Sequence, residues 1–233
     1  IMLRFAADAV ITMLTASGNP EMLHSPLPAP VVKQVGSRVD DFVMYRLKSF
    51  LDDPQSEEFH TSAAGILLAA DPRWRPEKHA KLTLVRAVLD GVQWNGIELP
   101  AVVLSSASLV RANLGGADLT HSQLDFANFQ WADLRKANLT RSEAIKANFS
   151  AANLRDASAE HSHFAFSVCE GTCLDSANLD YAIFQGANLT RASFRGASLR
   201  KSNLKDALVD ETDFAAVIFD EARLDYVPLR KQT

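Results

Sequence analysis

Three sets of side chains in this sequence have the types that chemistry or binding requires. Glu160, His161 and His163 lie within four residues of one another, and Asp180 follows twenty residues after Glu160. Imidazoles beside carboxylates can hold a metal or share acid–base work, provided that a pocket shifts their pKa values. A cationic set, Arg135, Lys136, Arg155 and Arg195 with Arg141, Arg200 and Lys201, suits a phosphate-rich partner. The third set is aromatic: Phe126, Trp131, Phe166, Tyr181 and Tyr226. Aromatics outside a core are enriched at partner surfaces. No Ser-His-Asp spacing, phosphate-binding loop, dinucleotide fingerprint or cysteine–histidine zinc pattern occurs, so neither a cofactor nor a metal is expected.

The element that must position these residues is a repeat of five. Stepping by five from Leu84 to Leu224 visits leucine, phenylalanine and a few other apolar residues, and only Ala144, Ala159 and Cys169 are small. Two residues before each lies a stricter small column, typified by Ala107, Ala112, Ala117, Ser122, Ala127 and Ala132. A period of five matches neither a helix nor a flat strand and describes a coil that presents a flat side every five residues. Repetition of this kind marks a solenoid.

The units Ala112-Asn113-Leu114-Gly115-Gly116, Ala132-Asp133-Leu134-Arg135-Lys136 and Ala187-Asn188-Leu189-Thr190-Arg191 resemble those of pentapeptide-repeat proteins, which read Ala-(Asp/Asn)-Leu-x-x. The resemblance runs from Leu82 to Tyr226. It implies a mainly β fold: a right-handed, four-sided parallel β-helix with four pentapeptides to each coil. The bulky and small columns then point inward and the other three positions face water. At about 4.8 Å between strands, roughly seven coils make a rod on the order of 34 Å long.

Four sides per coil place residues twenty apart above one another. His121, Arg141, His161, Tyr181, Lys201 and Glu221 form one outward column. His161 and His163 flank inward Ser162, so both imidazoles face solvent, and solvated surface is the expected reading of the first set. Arg135, Arg155 and Arg195 share one side, and Asp156, Asp175 and Asp180 interrupt the basic set, which again favours a solvated face. Phe126 and Phe166 share a column with Lys146 between them, and Trp131 lies on the next side. These aromatics are the first candidates for protein binding, with Arg135, Arg155 and Arg195 next. Cys169 is inward and Cys173 outward, which argues against a disulfide.

Composition bounds the remaining possibilities. Lys and Arg number 24 against 28 Asp and Glu, and no apolar run is long enough to span a membrane. The rod carries both signs with a mild acidic excess, which disfavours a dedicated nucleic-acid binder. Ahead of it, residues 1–80 read as an α-helical N-terminal cap. Helices are expected at Met2–Thr15, with Leu3, Ala6, Val10, Met13 and Leu14 inward, at Val31–Leu51, and at Glu57–Ala69 with Ser56 as N-cap. The Val35, Val39 and Phe42 stripe is expected to pack on the first coil near Trp94 and Ile97, where Leu82, Val92, Ile97 and Val102 enlarge the small column. Residues 81–226 form the β-helix and 227–233 a tail, in which Pro228 would blunt the edge. Ile1 ahead of Met2 reads as a trimmed start, and Phe5–Leu14 as an amphipathic helix rather than a signal peptide. The short tail leaves two expectations, a longer native chain or a homodimer through the C-terminal edge.

A solenoid with mixed charge, outward aromatics and no active-site constellation points to a non-enzymatic scaffold that binds another protein. The resemblance sharpens this in three directions. Some family members are secreted bacterial effectors with a helical segment before the repeats, so residence in a bacterial cytoplasm or secretion into a host cell is expected. The β-helix module of HECT-like bacterial ubiquitin ligases is the alternative, with a catalytic domain beyond Thr233. DNA mimicry of the gyrase-protecting kind ranks last, because it calls for a strongly acidic rod and a C-terminal dimerising helix that this sequence lacks.

Overall fold

A computed structural model describes residues 2–15, 23, 25–77 and 82–227. From residue 83 onward every fifth residue bridges in parallel to the residue twenty further on, from Thr83 with Val103 to Asn203 with Arg223. The chain therefore closes a coil every four pentapeptides, and the expected β-helix is the observed architecture. Both inward columns are buried along the rod: Leu134 and Phe129 of the bulky column and Ala127 and Ala137 of the small one are 0% exposed. Stacked rings line the interior, with Phe129 on Phe149 and Phe164 on Phe184 at 4.9 Å between centroids.

Each pentapeptide disposes of its backbone N–H groups in a fixed way. Taking residues 132–136, Ala132 N–H closes a turn on Phe129, Asp133 donates back to Ala112, and Leu134 and Lys136 donate forward to Asn153 and Arg155. That leaves Arg135 N–H, which the Asp133 carboxylate accepts at 3.1 Å. This local side-chain turn is the reason for Asn or Asp before the bulky residue. Asn138, Asn148, Asn153, Asn178, Asn188 and Asn203 make the same bond. Where Ser108, Glu143, Ser193 and Ser198 replace it, an aspartate one coil earlier serves instead: Asp90, Asp125, Asp175 and Asp180 accept from Val110, Ile145, Arg195 and Arg200.

The fifth residue of every unit has positive φ, as a type II turn requires at its third position. Only six of these corners are glycine; the rest hold side chains at φ between 55° and 61°. An L-residue there costs on the order of 1 kcal/mol. The pairing of consecutive coils overrides that local preference, and each corner side chain projects from an edge of the rod.

Among the described residues four α-helices precede it: α1 (Met2–Thr15), α2 (Ala29–Gly36), α3 (Asp41–Asp52) and α4 (His60–Ala70), with a 3-10 turn at Pro54–Phe59. The single helix expected over Val31–Leu51 is two, because Asp40 caps α3 by accepting from Val43 N–H at 2.8 Å. Ser56 lies in the 3-10 turn and donates to Asp53 instead of capping α4. Phe42 is 55% exposed, so the predicted Val35, Val39 and Phe42 stripe does not face the first coil as a unit. α4 and the segment after it reach that coil instead. His60 Nδ1 accepts from Thr83 N–H at 3.1 Å, Thr61 donates to the Val85 carbonyl at 3.1 Å, and Arg75 donates to the Asn95 carbonyl at 2.7 Å. Trp74 meets Trp94 edge-on, and its carbonyl accepts from the Trp94 indole. Gly36 fits because a Cβ there would lie 2.6 Å from Ala69 Cβ. At the far end, the inward residues Phe214, Val217, Phe219 and Leu224 are only partly buried. The boundary residues 78–81 and the tail from Pro228, like the Leu3 side chain, fall outside the described residues.

Candidate functional site

The rod has four sides, and the candidate residues fall on different ones. Side two consists of the rows 87–91, 107–111, 127–131 and so on to 207–211. Phe126 and Phe166 stand on the corner that precedes it, and Trp131 on the corner that ends it. All three are more than half exposed, at 58%, 54% and 53%. Their φ values are 60°, 57° and 56°, so the left-handed corner turns each ring away from the core. Rows 127–131 and 147–151 contain no charged residue, which leaves a flat strip of Asn128, Gln130, Asn148 and Ser150 between the aromatic corners.

Cations flank this strip. Lys146 Nζ lies 5.6 Å from the Phe126 ring centroid and the Arg111 guanidinium 5.3 Å from that of Trp131, both within cation–π range. The Phe166 ring fills the space a side chain at Gly186 would need, 2.7 Å from the position of its Cβ. Tyr181 stands on a different corner, stacked on His161 at 4.5 Å, with Lys201 Nζ 5.5 Å from its ring centroid. Tyr226 is on the Phe126 column but at the end of the rod, 82% exposed.

The basic set looks different once its partners are visible. Arg135 pairs with Asp133 at 2.6 Å, Arg155 with Asp175 at 2.8 Å, and Arg195 with Asp213. Arg200 lies 3.3 Å from Asp220, and Lys201 3.8 Å from Glu221. The Arg135 guanidinium holds the Asp133 carboxyl below the usual carboxylate range, against the desolvation that raises it. Burial pushes Asp175 up, but the Ser193 hydroxyl, the Arg195 N–H and Arg155 outweigh it and hold this acid low as well. Arg135, Arg155 and Arg195 are thus one side of neutralised ion pairs rather than an open cationic surface. They lie on side three, beyond Trp131, and do not form one site with Phe126 and Phe166.

The acid–base set does not converge. His163 Nδ1 contacts Glu143 at 3.0 Å, His161 stacks on Tyr181, Glu160 accepts from Asn178, and Asp180 accepts from Ser198 and Arg200 N–H. Asp180 is part of the turn machinery. Burial pushes the Cys169 thiol up to about 12, so it is a core residue and no nucleophile at neutral pH. Among the described residues no group of three potential ligands could hold a metal ion, and no helix is long and apolar enough to cross a membrane.

Sequence reasoning missed the contacts made by His60, Thr61 and Arg75, whose spacing carries no periodic signal. It placed Lys146 between Phe126 and Phe166 but missed Arg111 beside Trp131. That signal was present, since Arg111 stands twenty residues from Trp131.

Comparison with known proteins agrees with the repeat. The sequence profile of pentapeptide repeats matches eight copies between residues 84 and 208, more than half of the chain. No curated protein sequence is significantly similar. Among solved structures, a trypsin-treated variant of QnrB1, a plasmid-mediated fluoroquinolone resistance protein, superposes with a TM-score of 0.50 at 15% identity, over 64% of this chain and 81% of that one. HetL, a pentapeptide repeat protein involved in heterocyst differentiation regulation from the cyanobacterium Nostoc sp. strain PCC 7120, matches at 24% identity over 66% and 84%, with a TM-score of 0.34. At 15% identity the likeness to QnrB1 speaks to the fold alone, a right-handed β-helix.

Proposed function

This chain belongs to the pentapeptide-repeat family, and from that premise we propose that it is a non-enzymatic scaffold that binds a protein through side two of the rod. The observation that carries the reading is the placement of Phe126, Trp131 and Phe166 on exposed corners around an uncharged strip. Such a surface is flat, so it neither buries a small substrate nor excludes water from a reacting centre. It offers a protein a stiff area in which a few aromatic anchors dominate the energy. The ion pairs that neutralise Arg135, Arg155 and Arg195 move that side to second place. They also weigh against DNA mimicry, because cations stand beside the carboxylates on every side of the rod. Roles as a secreted effector, suggested by the helical front, or as the β-helix module of a ubiquitin ligase, suggested by the resemblance of the repeats, are finer proposals.

We assign the helical segment as the cap of the first coil, on the strength of the bonds from His60, Thr61 and Arg75 to edge groups that lack a preceding coil. The binding test compares the parent chain with a Phe126→Ala, Trp131→Ala, Phe166→Ala variant of equal melting temperature. Binding to a purified partner is expected to weaken by about 2 kcal/mol or more. Unchanged binding moves the interface off side two, and the Arg135, Arg155 and Arg195 side is then tested in the same way.

A further inference from the structure

Resting on that reading of side two as a protein-binding face, we propose that its occupant is a second copy of this chain, packed face to face and antiparallel in one register. The coil geometry makes the register countable. A two-fold axis lying in the interface and along the rows reverses the order of rows but keeps each corner column opposite itself. Rows 147–151 and 167–171 then exchange places, as do 127–131 with 187–191 and 107–111 with 207–211.

In this register the outward groups complement one another. Arg111 faces Glu211 of the second copy, and Trp131 faces Arg191, whose guanidinium is also paired with Glu170 of its own copy. On the other corner Lys146 meets the ring of Phe166, and Phe126 lands at Gly186, the glycine over which the Phe166 ring already lies. Between the corners Asn128 faces Asn188, Asn148 faces Val168, and the exposed Leu208 faces Ser108. Each pair occurs twice, as an isologous interface requires.

Neighbouring arrangements fail on charge. Moving the axis onto row 147–151 sets Lys146 against itself and parts Arg111 from Glu211. Moving it onto row 167–171 parts them as well and sets the Trp131 ring against Glu211. A parallel packing puts one corner column against the other, which places Asp206 opposite Glu211 and creates no pair of opposite charge. Like charges across an interface are costly and fix register by exclusion.

The area sets the strength. Six rows at about 4.8 Å, each about 13 Å wide, give roughly 370 Å² on each copy before the corner rings are added. A stable complex buries about 800 Å² per partner, so this is a weak interface of the transient class.

The test is sedimentation of the full chain from about 5 to about 300 μM, with Arg111→Glu and Glu211→Arg made separately, mixed, and combined in one chain. Both positions are exposed corners, and equal thermal melts confirm that the rod is intact. Each single variant opposes like charges at two symmetric points, and its self-association is expected to weaken at least tenfold. An equimolar mixture of the two places opposite charges at both points and forms the mixed dimer, and the combined variant regains self-association. A parent that stays monomeric throughout overturns the proposal, as do single variants that associate like the parent or a mixture that fails to associate. If the chain is monomeric but still binds another protein in a manner lost in the Phe126, Trp131 and Phe166 variant, the protein-binding reading stands and only the second copy is excluded. If neither occurs, side two is not an interface at all.

Discussion

Leu134 in the rod and Val35 in the helical segment are both aliphatic and both 0% exposed, yet their surroundings are assembled differently. Leu134 stacks in a column with Leu114 and Leu154, and its N–H donates to Asn153 as the equivalent residues from Leu84 to Leu204 donate to the next coil. Val35 sits beside Gly36, in a contact between α2 and α4 that occurs once in the molecule. The rod repeats one solution, so its column accepts leucine, phenylalanine, alanine or cysteine, with a neighbouring coil adjusting to each. The helices fit as individual surfaces, without a repeat that multiplies their contacts. Stability in the rod is a sum of nearest-neighbour terms, whereas the helical segment depends on particular pairs.

The largest effect expected from breaking this contrast is at Leu134. Leu134→Asp places a charge in a dry core between two coils, and a loss of about 4 kcal/mol or more is expected, seen as collapse of the cooperative melt. Melting like the parent would mean that the inward register is wrong. Gly36→Ala probes the other region. Its Cβ would lie 2.6 Å from Ala69, and overpacking of this kind costs about 1–3 kcal/mol. The change should loosen exchange protection in α2 and α4 while amides of the central coils keep theirs, and loss of protection throughout the rod would erase the distinction.

A smaller effect separates the two ways of satisfying the outward N–H. Asp180→Ala removes the acceptor of both Arg200 N–H and the Ser198 hydroxyl, whereas Asn138→Ala removes that of Thr140 N–H alone. The first should cost about 1–3 kcal/mol and the second about 1 kcal/mol, read from denaturant midpoints. Asp133 and Asp175 have lowered pKa values in the folded chain. Their contribution is complete above the unfolded value of about 3.9 and is lost as pH falls through the lower folded values. The melting temperature should therefore drop on acidification below about pH 4, and drop less in Asp133→Asn. Equal acid sensitivity would remove the Arg135 pair as a contributor.

The smallest expected effect is at the corners. No atom lies within 4 Å of a Cβ built on Gly116, whose φ is 68°. Gly116→Ala tests backbone conformation alone and should cost about 1 kcal/mol. Lys136→Gly, the reverse change on the next coil of the same column, should gain a fraction of that. Opposite signs in the two melts would show that the corners carry strain, and equal signs that they do not.

Much of this was determined by sequence. The five-residue period specifies which side chain points inward at each step from Leu84 to Leu224, because a one-residue slip would turn leucines outward and asparagines inward. The same period put Cys169 inside and Phe126, Trp131 and Phe166 outside. It could not specify the helical segment, where the break at Asp40 and the exposure of Phe42 depend on which surfaces meet in three dimensions. Nor could it reveal that Arg135, Arg155 and Arg195 are neutralised, since Asp133 is two residues from its arginine while Asp175 and Asp213 are twenty and eighteen from theirs. Those pairings, and the bonds from His60, Thr61 and Arg75 to the first coil, were decided only by tertiary structure. Periodic burial is a local rule repeated, and a sequence can carry it; a contact made once, between residues of unrelated spacing, exists only when the folded chain brings them together.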